Sequence, residues 1–268
     1  MLKNLKRGKK VGKTVAIVNQ KGGVGKTTTA VNLSAVLGAK GYKVLLADVD
    51  PQGNSTSGLG ISKNKLNKSV YDVLVESTPA AEVIIPSAFL NVWLLPASMN
   101  LAGAEVLLYD MERRESRLRL ALAAVKNDFD FIFLDCPPSL GLITINSLVA
   151  ADTFLVPIQC EFYALEGLSQ LMTTARQVKR LYNPLIDVEG VLFTMYDGRL
   201  NLTNQVVENT KAFFPKKVYS NVIPRNVRLS EAPSFGRPVL YYDRTSKGSL
   251  AYEAVAEEFL DMNPEFRR

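Results

Sequence analysis

Histidine is missing from all 268 residues. The chain therefore has no imidazole to act as a general base near neutral pH and none to bind a metal. Cysteine occurs only twice, as Cys136 and Cys160, and not as a Cys-x-x-Cys pair. That argues against a disulfide framework or a thiolate zinc site and suits a reducing cytoplasm. No apolar run approaches the roughly 20 residues needed to span a bilayer. The basic N-terminus has no apolar segment behind it, so a secretory signal is not expected. Acid is absent from residues 1–13, which hold six of the 32 Lys/Arg: Lys3, Lys6, Arg7, Lys9, Lys10 and Lys13. The remainder balances at 26 basic against 26 acidic residues. A second basic region, 199–248, carries nine Lys/Arg against three Asp/Glu. Two basic regions on a neutral body point to a polyanionic partner.

Apolar, β-branched runs at 14–18, 44–47, 92–95, 131–134, 154–158 and 188–194 are predicted to be buried strands, with a seventh candidate at 218–223. Helical patterns occupy 26–40, 101–126, 165–182, 203–213 and 250–260. Alternating strands and helices imply an α/β fold, a twisted and mostly parallel sheet with helices on both faces. No internal repeat or linker divides the chain. The expected organisation is a basic tail over 1–13 and one domain over 14–268. The polar, lysine-rich stretch 61–70 reads as a surface excursion.

Residues 19–29 read NQKGGVGKTTT. The end of a phosphate-binding P-loop, Gly25-Lys26-Thr27, is present, but its opening glycine is replaced by Gln20 and followed by a second lysine, Lys21. A strand leads in and a helix leads out. Glycines 22, 23 and 25 let successive N–H groups curl around an anion, and the helix adds its positive end. Lys26 can reach the outer phosphates of a nucleotide, and the Thr27 hydroxyl can ligate Mg²⁺. Asp135 ends an apolar strand, the position of a Walker B acid. Asp48 and Asp50 follow another strand, and alternation points them the same way, so that either could face the metal and the γ-phosphate. With no histidine, an aspartate would orient the attacking water.

These segments together are specific. Lys21-Gly22-Gly23-Val24-Gly25-Lys26-Thr27 resembles the deviant Walker A motif of the ParA/MinD group of P-loop ATPases. Asp48-Val49-Asp50-Pro51-Gln52-Gly53-Asn54 resembles the Walker A′ loop of the ParA/Soj branch, and Asp135-Cys136-Pro137-Pro138-Ser139 its Walker B segment. The stretches 159–168 and 223–234 fit the same branch. The resemblance implies a Mg²⁺-dependent ATPase in which Gly22, Gly23, Val24, Gly25, Lys26, Thr27 and Thr28 bind phosphate. Thr27, Asp48, Asp50 and Asp135 would surround the metal, and Asp50 would position the hydrolytic water. Met195 and Pro224 are candidates for flanking adenine.

The resemblance also accounts for the extra lysine. In this group it reaches across a homodimer to the partner's ATP, so Lys21, Lys26 and Asp50 form the expected catalytic set. An ATP-bound dimer then binds DNA without sequence preference, and a ParB/Spo0J-type partner stimulates hydrolysis. Localisation would be cytoplasmic and nucleoid-associated. Arg199, Lys216, Lys217, Arg225, Arg228, Arg237, Arg244 and Lys247 are the candidate phosphate contacts on DNA. A MinD-like membrane ATPase is the alternative. It would need a basic amphipathic C-terminal helix, whereas this C-terminus is acidic and broken by Pro264, so no stable membrane association is expected. An iron–sulfur ATPase would use the two cysteines at a dimer axis. A ligase of the same fold would need a second substrate pocket.

Overall fold

A computed structural model describes residues 11–268 of the chain. Lys3, Lys6, Arg7, Lys9 and Lys10 of the expected tail lie outside the described residues. Lys13 opens the first strand and forms an ion pair with buried Glu189, 2.6 Å.

In chain order the elements are β1 (Lys13–Ile17), α1 (Lys26–Ala39), β2 (Val44–Asp48), α2 (Asn54–Gly58), α3 (Val70–Leu74), α4 (Ala80–Val83), β3 (Ile85–Pro86), β4 (Val92–Leu95), α5 (Leu101–Leu108) and α6 (Arg117–Ala123). The second half has β5 (Phe131–Asp135), α7 (Leu142–Ala150), β6 (Thr153–Gln159), α8 (Ala164–Leu181), β7 (Asp187–Thr194), α9 (Asn201–Phe213), α10 (Val227–Glu231), α11 (Val239–Tyr242) and α12 (Lys247–Met262). The seven strands make one sheet in the order β3-β4-β2-β5-β1-β6-β7. All pairings are parallel except that of the short edge strand β3 with β4.

Alternation along the strands builds two cores. In β5, Phe131 and Phe133 face the layer of α1 and α12, while Ile132 and Leu134 face the layer of α3 and α5–α8. β1 divides in the same way, with Val15 and Ile17 on one face and Ala16 and Val18 on the other. Both sheet faces are covered, which is why these strands read as continuous apolar runs. Phe131 is fully buried, and its ring meets Tyr42, Phe133, Phe259 and Phe266. Burying such a side chain is worth about 1.5–3 kcal/mol. α1 lacks a polar face because it lies between the sheet and α12, where Thr29 and Tyr252 share a hydrogen bond of 3.1 Å.

Two predicted elements differ. The helix expected over 101–126 breaks into α5 and α6, because Arg113 takes a left-handed φ of 53°. Arg114 folds back beside it, donates to the Tyr109 carbonyl and stacks on the Tyr109 ring. The segment 218–223 is not a strand. It meets β7 at the Val191–Val218 bridge and again through the Ile223 N–H on the Phe193 carbonyl (2.8 Å), while between them the Ser220 and Asn221 N–H groups donate to the Glu258 carboxylate instead of to the sheet. The stretch 61–70 is an excursion in part, since Val70 is buried at the start of α3.

Candidate functional site

Parallel strands deliver their ends to one edge of the sheet, and β1 is central in it. Beyond Ile17 the chain curls into α1 through Gly23 and Gly25, with φ of 75° and 85°. An L side chain would be strained at either position. The loop is pinned from two strands. Asn19 Nδ2 donates to the Pro157 carbonyl (2.8 Å), and the Thr194 hydroxyl at the end of β7 donates to the Val24 carbonyl (2.8 Å). Lys26 is buried, and its ammonium donates to the Lys21 carbonyl, 3.0 Å. Burial lowers the pKa of Lys26, and Asp135 is the largest opposing influence.

A cavity of about 780 Å³ opens over this loop. Its walls include Gly22, Gly23, Gly25, Lys26, Thr27, Thr28, Asp50, Met195 and Pro224, whereas Val24 is buried beneath. The volume is within the range of small-molecule sites. Met195 holds a left-handed φ of 49°. That conformation costs about 1–3 kcal/mol in a residue other than glycine and persists where neighbours enforce it. Here Thr194 is fastened to the P-loop, and the Tyr196 N–H donates to the Ile223 carbonyl (3.0 Å).

Asp48 and Asp135 are register neighbours on β2 and β5, and both are fully buried. Burial raises the pKa of each. Asp48 Oδ2 accepts from the Thr56 N–H and the Thr56 hydroxyl, each 2.7 Å, and Oδ1 accepts from the Asp50 N–H at 3.3 Å. The Thr56 hydroxyl also accepts from the Ala97 N–H (3.0 Å). Asp135 Oδ2 accepts from the Ser55 hydroxyl at 2.7 Å, and its Oδ1 is buried without a hydrogen bond.

Asp48 and Asp50 differ in their surroundings: β2 ends at Asp48, the Val49 N–H still donates to the Asp135 carbonyl (3.1 Å), and Asp50 stands in a turn closed by the Gly53 N–H on its carbonyl (2.9 Å). Asp50 lines the cavity; both oxygens of Asp48 are engaged by backbone N–H groups and the Thr56 hydroxyl.

The oxygens of Thr27, Asp50 and Asp135 are the hard donors that Mg²⁺ takes, and the orphaned Asp135 Oδ1 fits a cation or its water. Among the described residues, no group of three or more Asp, Glu or Cys could hold a metal.

Lys21 stands apart from the cavity wall and forms an ion pair with Glu161. Beside it Phe162 and Tyr163 are exposed and stacked edge to face. Sequence reasoning missed Ser55, Thr56, Glu161 and Thr194. Only the Asn-Ser-Thr that follows the Asp50 loop could have signalled the first two. A helix-opening hydroxyl is usually read as a cap.

The eight basic candidates do not form one cluster. Arg225 lines the cavity. Lys217 pairs with Asp187 at the start of β7, the sheet edge opposite the P-loop. Arg199 is held bidentately by Asp197 at 2.8 and 2.6 Å, which pushes the Asp197 pKa down to about 2. Arg228 pairs with Glu231 and Asp243. Lys216, Arg237, Arg244 and Lys247 form no ion pair with the described residues.

Comparison with known proteins gives four findings. The family model for an AAA domain matches residues 12–188. The chain is 54% identical over 248 residues to the sporulation initiation inhibitor protein Soj of Bacillus subtilis, covering 92% of this chain and 98% of that one. It is 49% identical over 250 residues to the chromosome partitioning protein ParA of Myxococcus xanthus, covering 93% and 88%. Among solved structures, cobyrinic acid a,c-diamide synthase of Mycobacterium smegmatis with bound ATP analog and magnesium superposes with a TM-score of 0.82 at 37% identity, covering 96% and 98%.

Proposed function

Because this chain belongs to the Soj/ParA family of chromosome-partitioning P-loop ATPases, we propose that it is a nucleotide switch that binds DNA as an ATP-bound homodimer. The observation that carries the reading is that one nucleotide-sized cavity is bounded by the P-loop, Asp50, Met195 and Pro224. Loop N–H groups and Lys26 take the triphosphate, Thr27 and Asp135 face the metal, and Met195 and Pro224 flank the base. Mg²⁺, when bound, supplies charge neutralisation on the phosphates. Asp50 aligns the attacking water, and Lys21 leaves Glu161 to reach the partner subunit's ATP. Loss of the γ-phosphate then dissolves the dimer. A ParB/Spo0J-type protein accelerates that step.

A MinD-like membrane role fits less well. The apolar face of α12 is already buried through Tyr252, Val255, Phe259 and Leu260. A ligase like the diamide synthase has the lower identity, 37% against 54% for the Soj relative.

The test is a mobility shift on non-specific duplex DNA with ATP, ADP or no nucleotide. Retardation is expected with ATP alone, falling steeply with salt because phosphate contacts dominate. Arg199→Glu is expected to keep ATP-dependent dimerisation, weaken DNA binding and flatten the salt slope by about one unit or more. Equal binding in all three nucleotide states would rule out the switch.

A further inference from the structure

Two adjacent hydroxyls in α2 serve two different acids. Thr56 bonds Asp48 at 2.7 Å, and Ser55 bonds Asp135 at 2.7 Å across 80 residues of chain. Three of the four carboxylate oxygens on this pair accept hydrogen bonds. The fourth, Asp135 Oδ1, is buried and accepts none. A buried acid oxygen left unpaired is costly, so its retention calls for a ligand. We propose that Ser55 is a positioning residue for the Mg²⁺–nucleotide, holding one Asp135 oxygen so that the other stays free for the metal or its water.

The chemistry of the partner supports this. A lysine or arginine in that place would neutralise Asp135 and weaken its pull on a cation. A serine hydroxyl donates one hydrogen bond, fixes the carboxylate's rotation and leaves its charge. Asp135 is fully buried at the end of β5, where the Ser55 hydroxyl at 2.7 Å is the hydrogen-bond donor to its side chain. Ser55 also lies two residues beyond the turn that carries Asp50, which is closed by the Gly53 N–H on the Asp50 carbonyl at 2.9 Å. The same residue therefore ties Asp135 to the segment whose Asp50, Gln52 and Asn54 line the cavity. A partner that orients a metal's ligand typically contributes about 10–100-fold to metal affinity.

The inference rests on the nucleotide reading above, and the wild-type arm of its test separates the two. A non-hydrolysable ATP analogue is titrated into wild type, Ser55→Ala and Ser55→Thr by calorimetry, with Mg²⁺ and with chelator. The readout is the ratio of the two dissociation constants. Wild type is expected to tighten with Mg²⁺. Ser55→Ala should match it in chelator yet lose about tenfold of the Mg²⁺-dependent gain. Ser55→Thr, which restores the hydroxyl, should recover most of it. A merely structural role for Ser55 would weaken both conditions alike and leave the ratio unchanged, which overturns the inference, as does a full Mg²⁺ gain in Ser55→Ala. If Ser55→Ala does not fold, Ser55→Cys, with its weakly donating thiol, takes its place under the same criteria. Wild type that binds no analogue would overturn the function as well.

Discussion

Asp50→Ala is expected to bind ATP as tightly as wild type, within about threefold, and to hydrolyse it roughly 10²–10³-fold more slowly, the size seen when one oriented transition-state partner is removed. Asp50 is the carboxylate that lines the cavity, and its Oδ1 is fixed by the Gln52 N–H at 2.9 Å. Asp48 is not free to substitute, since Thr56 and the Asp50 N–H engage both of its oxygens. No histidine exists anywhere in the chain to take over. Ground-state binding is expected to survive because the loop N–H groups and Lys26 are untouched. The measurement is single-turnover hydrolysis beside equilibrium binding of ATP. A fall in the rate constant with unchanged affinity marks an interaction made only in the transition state. The same variant should stay on DNA with ATP, because its switch cannot reset. A hydrolysis rate within fivefold of wild type would remove Asp50 from the mechanism.

Lys21→Ala is expected to bind an ATP analogue as a monomer and to lose nucleotide-dependent pairing by at least about 100-fold, below the 10³–10⁵ that an arginine finger contributes to rate in related chemistry. In the single chain the Lys21 ammonium is paired with Glu161, and both side chains are partly exposed, 37% and 43%. Breaking such a half-exposed pair costs no more than about 1 kcal/mol. Neutralising phosphate charge buried between two subunits would be worth more than that, so the proposed crossing is expected to be downhill. Glu161→Ala therefore serves as the control: it should dimerise at least as well as wild type. Analytical ultracentrifugation with Mg²⁺ and a non-hydrolysable analogue reads both variants. Lys21→Ala that paired normally would show that the second lysine acts only within its own chain.

Much of this protein was legible locally. A P-loop needs contiguous residues, because successive N–H groups must converge on one anion, and 19–29 state it outright. Buried parallel strands announce themselves as apolar runs, so six of the seven strands were placed to within a residue or two, and Asp135 was assigned to a strand end. β3 escaped because a two-residue edge strand has no period to detect. The break between α5 and α6 escaped because Arg113 ends it with a left-handed turn that carries neither glycine nor proline.

What the sequence by itself determined was the architecture and the identity of the loop. Both rest on patterns that repeat or cluster within a few residues, where hydrophobic burial and backbone geometry act without reference to distant chain. What only the tertiary structure decided was which acid does what. Asp48 and Asp50 look equivalent in a row, yet one is locked to Thr56 and the other faces the cavity. Ser55 meets Asp135, and Lys21 meets Glu161, across 80 and 140 residues. A carboxylate has no periodicity; its role is set by whichever donors packing brings within 3 Å or so of its two oxygens.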